Sequence, residues 1–155
     1  MLSSLAYLMI GLVRAWAATG LPSLETSTVV SDSTASWIVS LPPMGAILGS
    51  CLSFWTMNYL GRKYSIIMSG IIFFLSFLLI GLASILASVE IILTGRALSG
   101  VGVGLAVPSA AIYVAECSSP SLRGTLSSLP AFFLALGVLI GYVFGRVGYT
   151  IILAY

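Results

Sequence analysis

Residues 95–124 of this chain read GRALSGVGVGLAVPSAAIYVAECSSPSLRG, and this stretch decides the fold. It is a glycine-rich apolar segment that begins with an arginine and ends in a short polar loop closed by a second arginine. Charge is costly inside a bilayer, so Arg96, Glu116 and Arg123 need partners and are candidate functional residues. The stretch therefore predicts a membrane helix with functional groups near both ends.

Composition extends this interpretation to the whole chain. Of its 155 residues, 59% are hydrophobic and only 6% are charged, whereas a soluble domain carries about 25% charged residues. The net charge of +2 gives no electrostatic footprint for a nucleic-acid partner. The absence of histidine excludes a His-based metal site, and the distant Cys51 and Cys117 suggest neither a disulfide framework nor a zinc site.

The hydropathy pattern predicts an all-α transmembrane protein. A spanning helix needs about 20 mostly apolar residues, or about 17 to 25 with tilt. By that measure we predict five spans, at residues 5–19, 37–60, 65–87, 91–114 and 126–145. Residues 147–155 begin a sixth apolar run, and because the chain stops inside this run, we expect a truncated sequence.

A secretory signal is the alternative interpretation of the first span. Residues 15–17, Ala-Trp-Ala, resemble a small-x-small cleavage site. Against this, no lysine or arginine precedes the apolar run, and Arg14 lies deep inside it. We therefore favour a membrane span.

The loops predict the orientation. Arg62 and Lys63 lie in the link between the second and third spans, and Arg123 lies in the link between the fourth and fifth. The first link is rich in Ser and Thr and carries two acidic residues. The positive-inside rule therefore places the amino terminus in the cytoplasm, with Arg146 as the exception.

Two loop motifs carry a family resemblance. Residues 60–63 read LGRK, and the fourth span ends with Tyr113 and Glu116 in a Tyr-x-x-Glu pattern, followed seven residues later by Arg123-Gly124. In these motifs the chain resembles the sugar porters, a branch of the major facilitator superfamily, and in particular the insect facilitated trehalose and hexose transporters. The resemblance covers residues 1–155 as the amino-terminal half of a twelve-helix transporter.

The resemblance implies facilitative transport of a hexose or trehalose-like sugar by alternating access in the intact protein, without a cofactor and without enzymatic activity. It implies a gating charge network of Arg62, Lys63, Glu116 and Arg123. Its expected partners are the sugar, the lipid bilayer and a missing second six-helix half or another membrane subunit. A multi-pass location in the plasma membrane is expected.

The chain departs from the family pattern at three positions. Asn58 stands where an acidic residue usually precedes the LGRK loop, so an ionic lock is lost. Ala17 stands where proton-coupled members carry an aspartate that pairs with the arginine of span four, which favours facilitated diffusion. Pro130-Ala131 stands where hexose transporters carry a glutamine, so one sugar-binding amide is missing.

The arginines within the spans need explanation. We expect Arg96 to shape a cavity together with Trp16, reaching a polar cavity, a carbonyl or a carboxylate; the alternative is snorkelling to the outer interface. Arg14 lies midway along the first span with no acid in any span to pair with, so it either faces a watery cavity or snorkels.

Small residues and prolines mark helix contacts and kinks. Glycines four residues apart let two helix backbones approach closely in lipid. The pairs are Gly45 and Gly49, Gly100 and Gly104, Gly137 and Gly141, and Gly141 and Gly145. Pro42-Pro43 and Pro130 are expected to free backbone carbonyls and kink their helices.

One rival hypothesis stays open at this point. Five spans and the start of a sixth provide half a pathway, so the chain is alternatively a non-transporting membrane fragment or a helix-bundle partner subunit. A membrane enzyme is disfavoured because no nucleophile–base pair or metal cluster is present in the sequence.

Overall fold

The computed structural model describes residues 2–25, 32–86, 88–117 and 123–153, and all of its regular elements are α-helices. They are α1 (Leu2–Glu25), α2 (Asp32–Tyr59), α3 (Arg62–Leu86), α4 (Val89–Cys117) and α5 (Arg123–Leu153). Four of them are long and apolar enough to cross a membrane, and α1 contributes a shorter apolar stretch, Ser3–Trp16. The predicted all-α class and the five predicted helices are confirmed, with ends that extend beyond the apolar cores.

The structure differs from the sequence-based expectation after Gly145. The fifth helix continues through residues 147–153, where the hydropathy pattern suggests the start of a sixth span. No proline follows Pro130, and an isolated glycine such as Gly148 weakens a helix without ending it. Continuation of α5 is therefore the local outcome.

The helices are packed with small residues inside and large apolar residues outside. Fully buried positions include serines of α2, α3 and α4, whereas Trp55, Phe74 and Phe144 are exposed. In lipid there is no hydrophobic force between helices, so close backbone contact and hydrogen bonds hold them together. The exposed apolar surface is what a bilayer would cover.

Two glycine-lined contacts organise the bundle. On α4, Gly100 and Gly104 lie against α2, where a methyl group on Gly104 would come within 2.8 Å of the Cα of Gly49. On α5, Gly137 lies against the backbone of Leu8 in α1. As a result α4 packs closely on α2 as well as on α3, while α5 packs mainly on α1.

The first helix is part of this bundle. It runs without a break through residues 15–17, and Ile10, Val13 and Ala15 are buried. Ile10 and Val13 share an apolar cluster with Phe73 of α3 and Ala106 of α4. This packing favours the spanning interpretation of α1 over the signal-peptide alternative.

The turn between α2 and α3 depends on glycine. Gly61 has a φ of 89°, a left-handed conformation that side-chain-bearing residues rarely adopt. Its carbonyl accepts the backbone N–H of Ser65 at 3.2 Å, which caps the first turn of α3. The turn places Arg62 at the very start of α3.

Candidate functional site

Arg96 lies in the interior of the bundle. Its side chain on α4 is only 3% exposed, so it does not snorkel to the outer interface. Its Nη1 donates to the carbonyl of Val13 in α1 at 3.2 Å, and its Nε donates to the carbonyl of Ile38 in α2 at 3.4 Å. The sequence predicts that Arg96 reaches a polar cavity, a carbonyl or a carboxylate, and in the structure it donates to backbone carbonyls of two other helices.

A proline makes one of these carbonyls available. In a regular helix the carbonyl of Ile38 would accept the N–H of residue 42, but Pro42 has no N–H. Arg96 supplies the donor that Pro42 lacks. The expectation that Pro42 frees a carbonyl and the expectation that Arg96 needs one are thus met by a single contact.

Trp16 completes the surroundings of Arg96. The guanidinium carbon lies 4.9 Å from the centroid of the Trp16 ring, which is a cation–π contact. Such contacts contribute about 0.5–1 kcal/mol at exposed sites and about 2 kcal/mol when desolvated. One face of Trp16 therefore packs against the guanidinium of Arg96.

A cavity of about 380 Å³ opens beside this arginine, between α1, α2 and α4. Both Arg14 and Arg96 line it, with Val39, Pro42 and Pro43 among the apolar walls. No acidic side chain contributes to this lining in the part of the chain that the structure describes. Of the two expectations for Arg14, the structure favours the cavity.

A second group of charges lies where α3 begins and α4 ends. Nη2 of Arg62 and Oε1 of Glu116 are 2.6 Å apart, and both side chains are about half exposed (50% and 47%). An exposed ion pair contributes about 0–1 kcal/mol, so this pair can break and re-form at little cost. Lys63 and Asn58 are exposed close to it in the chain.

The remaining predicted gating residue is described only in its backbone. Arg123 is the first residue of α5, and its side chain lies outside the described residues, as does the Ser-Ser-Pro loop at 118–120. Among the described side chains, Glu116 pairs with Arg62 of the same bundle. The sequence indicates a charge network here but not that pairing.

Sequence reasoning also missed a set of buried serines. Ser76 donates from α3 to the carbonyl of Gly95 at 2.8 Å, one residue before Arg96, and Ser53 donates from α2 to the carbonyl of Leu105 at 3.4 Å. Thr56 and Ser65 join α2 to α3 at 3.1 Å. The available signal was their spacing, since the α3 serines fall on one helix face. They are Ser65, Ser69 and Ser76.

Known proteins resemble this chain over most of its length. The family model described as "Sugar (and other) transporter" matches residues 7–151. The facilitated trehalose transporter Tret1 of Anopheles gambiae is 37% identical to this chain over 147 residues. The matched region is 92% of this chain and 18% of the length of that relative. The Tret1 proteins of Polypedilum vanderplanki and Culex quinquefasciatus are 34% and 36% identical over 92% of this chain and over 29% and 28% of their own lengths. The chain thus spans less than a third of these relatives.

Proposed function

This chain belongs to the Sugar (and other) transporter family and is an integral membrane protein, and we propose that it forms the amino-terminal bundle of a facilitative sugar transporter. The relatives that match 92% of it are named as facilitated trehalose transporters. Trehalose or a hexose is accordingly the proposed substrate class. The observation that carries the proposal is that the sequence of this helical bundle matches the family from residue 7 to residue 151.

The surroundings of Arg96 support transport without proton coupling. Arg96 is held by neutral acceptors, the carbonyls of Val13 and Ile38. A carboxylate partner could take up and release a proton during each cycle, but carbonyls cannot. Position 17, where the family resemblance would place that carboxylate, is an alanine. Solute movement is therefore proposed to follow the solute gradient alone.

The charges at the other site support an alternating-access cycle. In it the substrate is held between two six-helix bundles that rock against each other. Arg62 and Glu116, with Lys63 and Arg123, are proposed to exchange partners between this bundle and the second one. The ion pair is half exposed, so exchange costs little.

The proposed orientation places this charge network in the cytoplasm. The turn that carries Arg62 and Lys63 and the carboxyl end of α4 lie at the same end of the bundle, because Arg62 contacts Glu116 there. Short basic loops stay on the cytoplasmic side. The amino terminus of α1 is then cytoplasmic too, and the plasma membrane is the proposed location.

Uptake by purified protein tests the proposal. The 155-residue chain is reconstituted in liposomes together with the carboxyl-terminal six-helix bundle of a relative, and entry of labelled trehalose and glucose is measured against liposomes that hold either bundle alone. We expect saturable entry that stops at equal concentrations on both sides and is unchanged by a proton ionophore. Accumulation above the outside concentration that the ionophore abolishes would overturn the facilitative mechanism.

The second candidate is a non-transporting fragment or partner subunit that binds another membrane chain. The favouring observation is that α5 packs mainly on α1, leaving Phe132, Leu139 and Phe144 exposed on its other side. Absence of entry both by the 155-residue chain alone and by its combination with the carboxyl-terminal six-helix bundle of a relative would favour this second candidate.

A further inference from the structure

The cavity between α1, α2 and α4 contains an excess of positive charge. Two of its lining residues are arginines, one from α1 and one from α4, and the others include the apolar Val13, Val39 and Pro42. A neutral sugar needs hydrogen-bonding groups of both kinds but does not need two cations. The charge of the lining therefore carries information about the ligand that the family membership does not.

The two arginines differ in how their charge is accommodated. Arg96 is buried against two carbonyls and the ring of Trp16. Arg14 is exposed to the cavity side of α1, and no hydrogen bond or ion pair of its side chain occurs among the described contacts. Carbonyls and a π-face stabilise a cation but leave the net charge of the site at two. None of the described residues that line the cavity is acidic, so an anionic ligand would neutralise this charge.

We propose that this cavity binds an anionic solute of about the size of a sugar, with its carboxylate or phosphate group at Arg14. A guanidinium can hold such a group through two parallel hydrogen bonds. The volume of about 380 Å³ lies within the range of about 300–1,000 Å³ that ligand pockets occupy. The inference rests on the proposed function, because it takes this cavity to be the one that the transported solute enters.

The backbone adds a place for the uncharged part of such a solute. Pro43 has no N–H, so the carbonyl of Val39 loses its helical donor as that of Ile38 does. Arg96 takes the Ile38 carbonyl, whereas no described side chain donates to Val39. We place a hydroxyl group of the solute at this carbonyl. A solute that carries an anionic group for Arg14 and a hydroxyl for the Val39 carbonyl is a sugar acid or a sugar phosphate.

A matched pair of ligands tests the proposal. Glucuronate and glucose differ at one carbon, which is a carboxylate in the first and a hydroxymethyl group in the second. The 155-residue chain is placed in phosphatidylcholine nanodiscs with Trp37→Phe and Trp55→Phe, so that Trp16, which contacts Arg96, is the only fluorophore of its kind. At constant ionic strength we expect glucuronate to change its emission with at least tenfold higher affinity than glucose. Equal affinities, or no change with glucuronate, would overturn the proposal.

Two arginine variants assign the effect. Arg14→Gln should lower the glucuronate affinity about tenfold and so remove the preference for glucuronate over glucose. Arg146→Gln makes the same change of charge on α5, outside the cavity lining, and should alter neither affinity. If both variants weaken binding equally, the attraction is a general effect of net charge and the proposed site is wrong.

A change of lipid composition distinguishes a soluble anion from a lipid headgroup as the occupant of the site. In nanodiscs containing phosphatidylglycerol, competition that weakens glucuronate binding and disappears in Arg14→Gln would identify a lipid headgroup as an occupant of the same anion site. Unchanged glucuronate binding would identify a soluble anion. Loss of the glucuronate preference with trehalose or glucose entry intact would overturn this inference and leave the proposed function standing.

Discussion

Pro42 and Arg96 lie on different helices, yet each explains the other. Pro42 leaves the Ile38 carbonyl without its helical donor, and Arg96, which is buried, needs an acceptor. Neither feature is favourable alone, since an unsatisfied buried carbonyl costs about 1–3 kcal/mol and an arginine at membrane depth costs about 2.5–3.5 kcal/mol on insertion scales. Their meeting explains how both persist in one bundle.

A double-mutant cycle measures this dependence. Arg96→Met should destabilise the bundle, in part because the Ile38 carbonyl is left without a donor. Adding Pro42→Ala supplies a backbone N–H to that carbonyl, so the double variant should regain about 1 kcal/mol relative to the sum of the single effects. The measurement is the free energy of unfolding in mixed micelles of rising SDS fraction, followed by circular dichroism.

The adjacent proline provides the control for this cycle. Pro43→Ala would return an N–H to the Val39 carbonyl, which Arg96 does not contact. Its effect should therefore add to that of Arg96→Met without coupling. Equal coupling for Pro42 and Pro43 would mean that the rescue reflects general straightening of α2, and the specific contact would be refuted.

For single residues, the sequence predicted which groups require a hydrogen-bond partner but not which partner each of them contacts. It indicated that Arg96 required an acceptor and that Pro42 released one, because both follow from local chemistry. The two residues are 54 positions apart in the chain, and which carbonyl an arginine reaches depends on how α2 and α4 cross. The same limit explains why Arg14 stayed unexplained until its helix was placed beside the cavity.

Between elements, the glycine contacts give the helices their separation. A methyl group on Gly104 would lie 2.7 Å from the backbone nitrogen of Ser50, and it would approach the carbonyl of Ala46 still more closely. These neighbours are backbone atoms, so they cannot rotate away as a side chain can. The α2–α4 contact therefore tolerates no added volume at this point.

Gly104→Ala should destabilise the bundle by about 1–3 kcal/mol, because overpacking forces the α2 and α4 backbones apart. Gly70→Ala is the matched control, since Gly70 lies within α3 with nothing within 4 Å of an added methyl group. There the better helix propensity of alanine should stabilise by up to about 1 kcal/mol. The same SDS titration reports both values, and a loss at Gly70 equal to that at Gly104 would contradict the steric explanation.

The elements themselves were largely readable from the sequence, and their pairing was not. Apolar runs predicted five helices because a bilayer requires a continuous apolar segment for each crossing. The Gly45–Gly49 and Gly100–Gly104 pairs meet each other, but Gly137 meets Leu8 of α1, where no glycine pair marks the sequence. The spacing of small residues predicts that a helix face packs closely against another helix, but it does not predict which helix that is.

At the scale of the whole molecule, the Arg62–Glu116 pair tests the gating proposal. Arg62→Glu replaces attraction by repulsion at the ends of α3 and α4, and solute exchange should slow. Arg62→Glu combined with Glu116→Arg restores the ion pair within this bundle but reverses the charge that each residue offers to the second bundle, so exchange should stay slow in the proteoliposome assay. The stability of the bundle should change by no more than about 1 kcal/mol throughout, because the pair is half exposed. Full recovery of exchange in the double variant would mean that the pair within this bundle suffices, and the proposed exchange of partners would be contradicted.

The packing divides the molecule into two groups that meet at Arg96. One group is the α1–α5 pair and the other is α2, α3 and α4, with α1 contacting the second group mainly through α4. Arg96 bonds to Val13 in the first group and to Ile38 in the second. Arg96 thus adds a polar link between the two groups at the wall of the cavity, beside the apolar contacts that α1 makes with Phe73 and Ala106.

Arg96→Met should therefore loosen α1 and α5 more than the other three helices. Amide hydrogen exchange of the chain in nanodiscs is the measurement, because it reports local opening helix by helix. We expect faster exchange in α1 around Val13 and in α5, with α3 unchanged. Arg62→Met is the control, since it removes an arginine that bonds within the α2–α3–α4 group and should leave α1 and α5 as they are. Uniform acceleration in all five helices would mean that Arg96 stabilises the bundle as a whole, and its role as the link between the two groups would be lost.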